Sequence, residues 1–303
     1  MSLTNATDAP LVPYDEAEAR LKRSAARLSI LAAGLLIVIK TATGWLTGSI
    51  SVWASLLDSA MDVFASTINY FAVIAAARPP DSDHLYGHGK AESLAGLFQA
   101  AAICASGLLL IREAARRLVT PHETSMEWVG VATMFVAGAV SILLTARLKR
   151  VARETDSPAL SADSVHYASD VYMNGAALGA LLVVALTGWR TADPLVSIVI
   201  SAYIIWSAVA VGRDSIDVLM DRRLPREVDE TIARVVESFR GAGVVDFHDL
   251  RTRRSGSIKF IDLHLSVRRE LTFEAAHDLT VRVLRAIEHE VPRSRVQIHT
   301  DPA

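Results

Sequence analysis

Two segments far apart in this chain each carry a pair of metal-ligating side chains, four residues apart, within an apolar stretch. Asp58 and Asp62 form the first pair, and His166 and Asp170 form the second. Residues four apart lie one turn apart on the same face of a helix. Two such faces turned toward each other provide three carboxylates and one imidazole, a set that suits tetrahedral Zn²⁺. Ionisable side chains within a membrane span usually mark an ion pathway. The pattern therefore predicts a site at which a metal ion crosses a membrane.

The elements that must position these ligands are membrane-spanning helices. The chain has 303 residues, of which 51% are hydrophobic, and its mean hydropathy is +0.31. Apolar stretches of roughly 18 to 25 residues are long enough to cross a bilayer as helices. Six such stretches are predicted, at 28–46, 52–76, 93–111, 128–146, 160–186 and 194–212. The second and fifth carry the two ligand pairs, so we expect a six-helix transmembrane bundle in which these two helices face each other.

Composition also excludes several classes of protein. The net charge is −2 and there is no basic block, so no nucleic-acid partner is expected. The single cysteine, Cys104, excludes an intrachain disulfide and a thiolate-cluster metal site. No cleavable signal peptide is visible, and the first span is expected to direct insertion. Ten basic residues flank the spans on one side and four on the other. The positive-inside rule then places both termini in the cytoplasm, as expected for a multi-pass inner-membrane protein.

The composition changes after the sixth span, and we divide the chain accordingly. Residues 1–27 are expected to form a cytoplasmic amino-terminal segment, 28–220 the transmembrane domain and 221–303 a cytoplasmic metal-binding domain. The tail is predicted to contain a helix that follows Pro225 and runs to about 240, strands at 244–254 and 258–267, a helix at 273–291 and a last strand at 295–299. The order αββαβ, over about 80 residues, is typical of a small α+β domain with helices on one face of a sheet.

A second group of ligands lies in the connection between the second and third spans. Asp81, His84 and His88 offer one oxygen and two nitrogens within eight residues. Gly87 and Gly89 permit the tight backbone that would bring these three side chains together. Spacing alone leaves open a polar loop with incidental histidines.

The tail holds most of the histidines of the chain. His248 and His264 are predicted on neighbouring strands, His299 lies on the last strand, and Asp301 follows it. Any one of these histidines could be an ordinary core or surface residue, but several histidines with a carboxylate favour a shared metal site. His277 lies in the same domain, whereas His289, between two glutamates, is predicted to be solvated.

One pair of charges is predicted at the cytoplasmic boundary. Lys90 begins the third span and Asp221 follows the sixth. An ion pair here would tie the two spans together, but two solvated charges are equally compatible with the spacing.

Five separated motifs resemble the cation diffusion facilitator family, and in particular its bacterial zinc and ferrous-iron efflux transporters. They are LDSAMD at 57–62, GHGKAES at 87–93, HYASDV at 166–171, HDLRTR at 248–253 and HTDP at 299–302. The resemblance implies a homodimer with six spans per protomer and a ferredoxin-like, metallochaperone-like cytoplasmic domain. Position 300 is a threonine, whereas similar proteins have a longer side chain with a polar amide there. This difference concerns a water molecule outside the ligand set and not the ligands themselves.

The resemblance also assigns roles to residues. It implies a transport site at Asp58, Asp62, His166 and Asp170, and a loop site at Asp81, His84 and His88. It implies a two-metal tail site, bridged by Asp301, and a charge interlock between Lys90 and Asp221. The ligands that it implies for the tail site are His248, His264, His277, His299 and Asp301.

These observations together predict a proton-coupled antiporter that exports a divalent metal, rather than an enzyme. Crowded carboxylates in a low dielectric favour protonation, so the empty site should take up protons that the metal then displaces. One imidazole with three carboxylates suits Zn²⁺ and also admits Cd²⁺, Fe²⁺ and Co²⁺, as substrate and as regulatory or structural ion. The alternative is a membrane-bound metal sensor that signals through its tail. A metallohydrolase is disfavoured because no open coordination position with a general base is visible.

Overall fold

Six long helices precede a small α+β domain. The computed structural model of the protein describes residues 16–47, 50–119, 128–187, 189 and 191–303. The helices occupy the six predicted apolar stretches, and most of them extend beyond the apolar part. Their bounds are α1 Glu16–Thr47, α2 Ile50–Ala76, α3 Lys90–Val119, α4 Trp128–Thr155, α5 Pro158–Thr187 and α6 Ala192–Leu219.

Three of these helices are long and apolar enough to cross a membrane when only the described residues are considered. The qualifying segments are Glu16–Thr43, Lys90–Val119 and Pro194–Leu219, and Ala60–Ala76 forms a shorter apolar segment. Large apolar side chains also lie on outward faces, among them Leu31, Phe135 and Trp206, which are 63%, 71% and 69% exposed. Such faces are stable when lipid covers them.

The core of the bundle consists of small and branched side chains between α1, α2, α4 and α5. Leu148 and Leu160 are completely buried there, beside Ala25, Ala26 and Val73. A second contact joins α3 to α6 through glycine. A β-carbon on Gly107 would lie 2.7 Å from Cγ1 of Ile205, so a side chain at this position would push the two helices apart. Both contacts follow the general preference for small residues where membrane helices approach closely.

A buried charged cluster joins the starts of three helices. Lys22 of α1 lies 3.0 Å from both Glu18 and Glu92, and Glu92 belongs to α3. The hydroxyl of Ser157 donates to the other carboxylate oxygen of Glu92. Ser157 also caps α5, because its Oγ accepts a hydrogen bond from the amide of Leu160 at 3.3 Å. The side chains of Lys22 and Glu92 are only 7% and 2% exposed, so the Glu92 carboxylate depends on Lys22 for compensation of its charge.

Lys22→Ala is expected to destabilise the helical bundle by about 3–5 kcal/mol, because it leaves the Glu92 carboxylate buried without its cation. The matched control on the same helix is Arg20→Ala. Arg20 pairs with Glu16 at 2.9 Å, but their side chains are 73% and 67% exposed, so its loss should cost less than about 1 kcal/mol. Thermal unfolding of the two variants in detergent checks the difference. Equal melting temperatures would contradict it.

The tail forms a three-stranded sheet with two helices. Helix α7 spans Arg226–Glu237, β1 Val244–Ser255, β2 Ile258–Val267, α8 Phe273–Glu290 and β3 Ser294–Pro302, with a short 3₁₀ turn at Arg240–Ala242. The strand order is β1-β2-β3; β1 and β2 run antiparallel, and β2 and β3 run parallel. Apolar and polar residues alternate along β2, and this pattern predicts that Ile261, Leu263 and Leu265 share one face. The structure confirms it, because all three are buried against residues of both helices.

The connection between α2 and α3 packs on this sheet domain. Residues 77–90 and 217–303 form one compact unit. A β-carbon on Gly89 would lie 2.5 Å from the carbonyl oxygen of Ser255, at the β1–β2 turn, so only glycine permits this approach. Tyr86 makes an edge contact with Phe260, with ring centroids 5.7 Å apart, and Arg253 lies over both rings. These contacts fix the loop that carries Asp81, His84 and His88.

Candidate metal centres

The structure brings together three of the four predicted intramembrane ligands. Asp62 of α2 and His166 and Asp170 of α5 offer ligand atoms that all lie within 4.8 Å of one another. The imidazole Nε2 of His166 is 3.1 Å from a carboxylate oxygen of Asp62. Asp58 lies one turn before Asp62 on α2, but its side chain lies outside the described residues. The described ligands of α2 and α5 therefore lie together, whereas the part of Asp58 in this site stays a prediction.

A hydrogen-bonded tyrosine sets the rotation of α5 next to this site. Tyr167, adjacent to His166, is 1% exposed. Its hydroxyl lies 3.1 Å from Oγ of Ser66 on α2 and donates to the carbonyl of Ser29 on α1, also at 3.1 Å. One turn further on α2, the amide of Asn69 donates to the carbonyl of Ala159 at 3.1 Å. These bonds hold α5 against α1 and α2, and they leave His166 and Asp170 facing Asp62.

The loop candidates also converge. Asp81, His84 and His88 offer ligand atoms within 4.8 Å of one another. Each of the two imidazoles lies 3.3 Å from a different oxygen of Asp81, and the two rings are 4.5 Å apart. Gly87, with a φ of +81°, supplies the left-handed backbone that this tight turn requires.

Backbone hydrogen bonds hold the Asp81 carboxylate in position. Its Oδ1 accepts from the amides of His84 at 2.7 Å and Asp83 at 3.0 Å. The bond from His84 is the main reason why the pKa of Asp81 lies below its usual value of 3.8, and nearby His88 adds to the effect. The carboxylate is therefore in its metal-binding, ionised form throughout neutral and mildly acidic conditions.

In the tail, strand register places three histidines in one row across the sheet. His248 pairs with His264, and His264 pairs with His299. A bulge between His248 and Arg251 interrupts the β1 ladder, and Asp249 adopts a left-handed conformation there, with a φ of 51°. The ring centroids are 5.1 Å apart from His248 to His264 and 4.7 Å apart from His264 to His299.

Asp301 lies at the centre of this row. Its Oδ2 is 2.9 Å from His264 and 3.9 Å from His248, and its Oδ1 is 3.3 Å from His299. His248, His264 and Asp301 form a ligand group within 4.8 Å. A carboxylate with imidazoles on both oxygens is suited to bridging two metal ions.

The remaining tail histidines lie apart from this group. His277, on α8, stacks on Phe273 with centroids 6.5 Å apart and is not part of the group that the described residues form, so its role as a ligand stays a prediction. His289, with 84% of its side chain exposed, has the solvated position expected for it.

The predicted boundary pair is in contact. Nζ of Lys90 lies 2.9 Å from Oδ1 of Asp221 and also donates to the carbonyl of Leu219 at 3.3 Å. Arg253 approaches the same oxygen of Asp221 at 3.5 Å. Asp221 adopts a left-handed φ of 55°, and its side chain and that of Lys90 are 45% and 37% exposed. This pair holds the start of α3 to the segment that follows α6.

Two protein-family models together match nearly all of the chain. Residues 26–220 match the model of the cation efflux transmembrane domain, and residues 224–303 match that of the cation efflux protein cytoplasmic domain, a dimerisation domain. The chain belongs to the cation efflux family. The resemblance to the cation diffusion facilitator family is thus confirmed, as are the fold class and the conclusion that the protein is a transporter and not an enzyme.

Individual cation efflux proteins are similar over nearly their full length. The cation-efflux pump FieF of Yersinia enterocolitica is 40% identical over 288 residues, which is 95% of each chain. FieF of Citrobacter koseri is 41% identical over 283 residues, or 93% of each chain. A zinc-form structure of CzrB is 37% identical and covers 27% of this chain and 92% of its own, with a TM-score of 0.25. Membership makes this protein a multi-pass membrane transporter with a dimerisation domain.

Two buried features of this cation efflux protein were missed by sequence reasoning. The first is the cluster of Lys22, Glu92 and Ser157, whose members are far apart in the chain and show no local pattern. The second is Asp163 on α5, which is completely buried. A local signal for Asp163 was present, because Asp163, His166 and Asp170 follow the i, i+3, i+7 spacing of a single helix face.

Proposed function

We propose that this protein exports a divalent metal from the cytoplasm in exchange for protons, with Zn²⁺ as the preferred ion. The convergence of Asp62, His166 and Asp170 from two helices of the transmembrane domain carries the proposal. Asp58 completes the ligand set in this proposal, since it lies one turn from Asp62 on the same helix. An imidazole with carboxylates fits Zn²⁺ and accommodates Cd²⁺, Fe²⁺ and Co²⁺ better than the all-oxygen octahedron of Mg²⁺.

Proton exchange follows from the chemistry of the ligands. A site of three carboxylates and one imidazole carries about three negative charges when all are deprotonated, and such crowding is relieved by binding either protons or a metal. His166 and one carboxylate are the proposed carriers, because histidine changes charge in the working range of pH. One proton per Zn²⁺ would move a net positive charge outward, and an inside-negative membrane potential opposes this movement by about 2.3 kcal/mol per 100 mV. Two protons per Zn²⁺ would make the exchange electroneutral.

The soluble part of the chain is assigned a supporting role. We place both termini and residues 221–303 in the cytoplasm, because the basic residues beside the spans favour that side. Metal bound by His248, His264, His299 and Asp301 would draw two protomers' tails together and bias the dimer toward one state. The names of the relatives, which describe cation-efflux pumps, agree with export as the direction of transport.

Reconstituted vesicles test the proposal. The purified full-length protein is expected to carry Zn²⁺ down an imposed gradient while an enclosed pH dye reports protons moving the other way, and competition with Cd²⁺, Fe²⁺ and Co²⁺ ranks the metals. His289→Ala, at an exposed histidine outside the three groups, is the control and should match the parent. Metal binding without flux would favour the sensor alternative. Flux without any pH change would refute the coupling.

A further inference from the structure

A buried carboxyl group lies next to the intramembrane site without being one of its ligands. Asp163 is 0% exposed and precedes His166 by three residues on α5, which is about 4.5 Å along the helix axis. The two residues share a helix face, so Asp163 lies on the side of the ligands toward the start of α5.

The contacts of Asp163 are those of a group that can bind a proton. Its Oδ2 accepts a hydrogen bond from Ser29 of α1 at 2.5 Å. Its Oδ1 is buried and has no hydrogen bond of ordinary geometry among the described residues. The side chain of Asn69 lies beside the carboxyl, and the titratable groups that face it are Asp62 from α2 and His166 and Tyr167 from α5. Because Oδ2 already accepts the hydrogen bond from Ser29, proton binding is expected at Oδ1.

Charge balance links this carboxyl to the metal site. A buried carboxylate whose neighbouring donors are only the Ser29 hydroxyl and the Asn69 amide is unfavourable unless a proton neutralises it or a cation lies nearby. A divalent cation at Asp62, His166 and Asp170 supplies that positive charge, and its departure removes it. The proton on Asp163 and the cation at the site therefore oppose each other, and the coupling is reciprocal.

We propose that Asp163 is a proton-carrying residue of the exchange, in addition to the metal ligands. Its carboxyl holds a proton at Oδ1 while the intramembrane site lacks metal. When the cation binds, that proton leaves for the water on the side from which the metal came, and the carboxylate stays ionised until the metal departs. Each cycle then moves one more proton per metal ion than the ligands alone would carry. The inference rests on the proposed function and extends it.

The experiment counts the protons released when Zn²⁺ binds to the full-length protein in detergent, with a pH dye in weak buffer. The loop and tail ligand groups offer further places for Zn²⁺. The protons released at the intramembrane site are therefore taken as the difference between a protein and its Asp62→Ala version. This difference is expected to be smaller by up to about one proton per protomer in the Asp163→Asn background than in the parent. Asparagine retains an oxygen that can accept from Ser29, so a purely structural role predicts no change.

Ser29→Ala is the matched control, because it removes the hydrogen bond and keeps the carboxyl. It should release as many protons as the parent. Vesicles give a second readout. At zero membrane potential and a proton gradient of one pH unit, one proton fewer per cycle lowers the Zn²⁺ ratio at which net flux stops about tenfold. An unchanged proton count in Asp163→Asn would overturn the role of Asp163, whereas absence of flux in the parent would overturn the proposed function instead.

A third measurement covers the case in which Asp163→Asn does not fold. Infrared difference spectra of the parent, with Zn²⁺ minus without, should show loss of the C=O band of a buried protonated carboxyl. Ser29→Ala should shift that band, because it removes the hydrogen bond to Asp163. A Zn²⁺-sensitive carboxyl band that does not shift in Ser29→Ala, or the absence of any such band, would contradict the proposal.

Discussion

Asp62→Ala is expected to lower Zn²⁺ flux in reconstituted vesicles more than about 100-fold. Loss of an outer-shell partner already costs roughly 10–100-fold in metal affinity, and loss of a ligand removes a metal bond as well. Asp62 also contacts the imidazole of His166 at 3.1 Å, so the substitution removes the group that orients a second ligand. Asp62→Asn tests the charge separately from the volume, since the amide has nearly the same size. We expect both variants to be almost inactive.

The control for this prediction is a carboxylate on another helix of the same domain. Glu113 of α3 pairs with Arg117 at 3.1 Å, and its side chain is 49% exposed. Glu113→Ala should transport at the parent rate, because an exposed pair contributes little to stability and Glu113 lies in none of the three ligand groups. Size-exclusion profiles must be the same for all variants. Parent-like exchange in a well-folded Asp62→Ala protein would remove the basis of the proposed transport site.

The intramembrane site shows which features of a site the spacing of residues along the sequence can predict. The pairs Asp58/Asp62 and His166/Asp170 predicted one ligand face on each of two helices, because the α-helical period is a local property. The spacing of residues within each helix does not predict that the two ligand faces pack against each other. That outcome depends on small residues such as Ala25 and Ala26, which let α1 pack closely, and on Tyr167 reaching Ser29. The spacing of Asp163 places it on the ligand face of α5, but its burial, which makes it a functional candidate, depends on how the other helices pack.

The tail domain likewise has some features that local sequence patterns predict and others that they do not. Alternation in β2 predicted which side chains enter the core, because strand periodicity is also local. The bulge after His248 was not predictable from pattern, since it depends on one left-handed aspartate, Asp249. Helix α1 contains the predicted apolar span at 28–46 and also the polar residues from Glu16 onward, because helix formation continues through residues that a hydropathy window does not count. The docking of the loop on the tail was missed because it depends on one close approach, between Gly89 and Ser255.

Asp301→Asn is expected to weaken Zn²⁺ binding in the tail about 100-fold or more while transport continues. Asp301 is the one carboxylate within reach of His248, His264 and His299 among the residues the structure describes. A neutral amide is a weaker ligand for Zn²⁺ than an ionised carboxylate. Transport should persist at a reduced rate, because none of the intramembrane ligands changes. The measurement is Zn²⁺ bound per protomer in the full-length protein, alongside flux from the same preparation.

His289→Ala, at an 84% exposed position of the same domain, should leave both quantities unchanged. Combining Asp301→Asn with His264→Ala should add little further loss of binding, because the two residues lie 2.9 Å apart and serve the same site. The double variant should also dissociate to monomers at higher protein concentration than the parent, if tail metal holds the protomers together. Complete loss of flux with unchanged tail binding and unchanged association would show instead that Asp301 acts on the transport path. The proposed regulatory role of the tail metal site would then be wrong. The proposed intramembrane site would be unaffected, because the Asp62→Ala variant tests it separately.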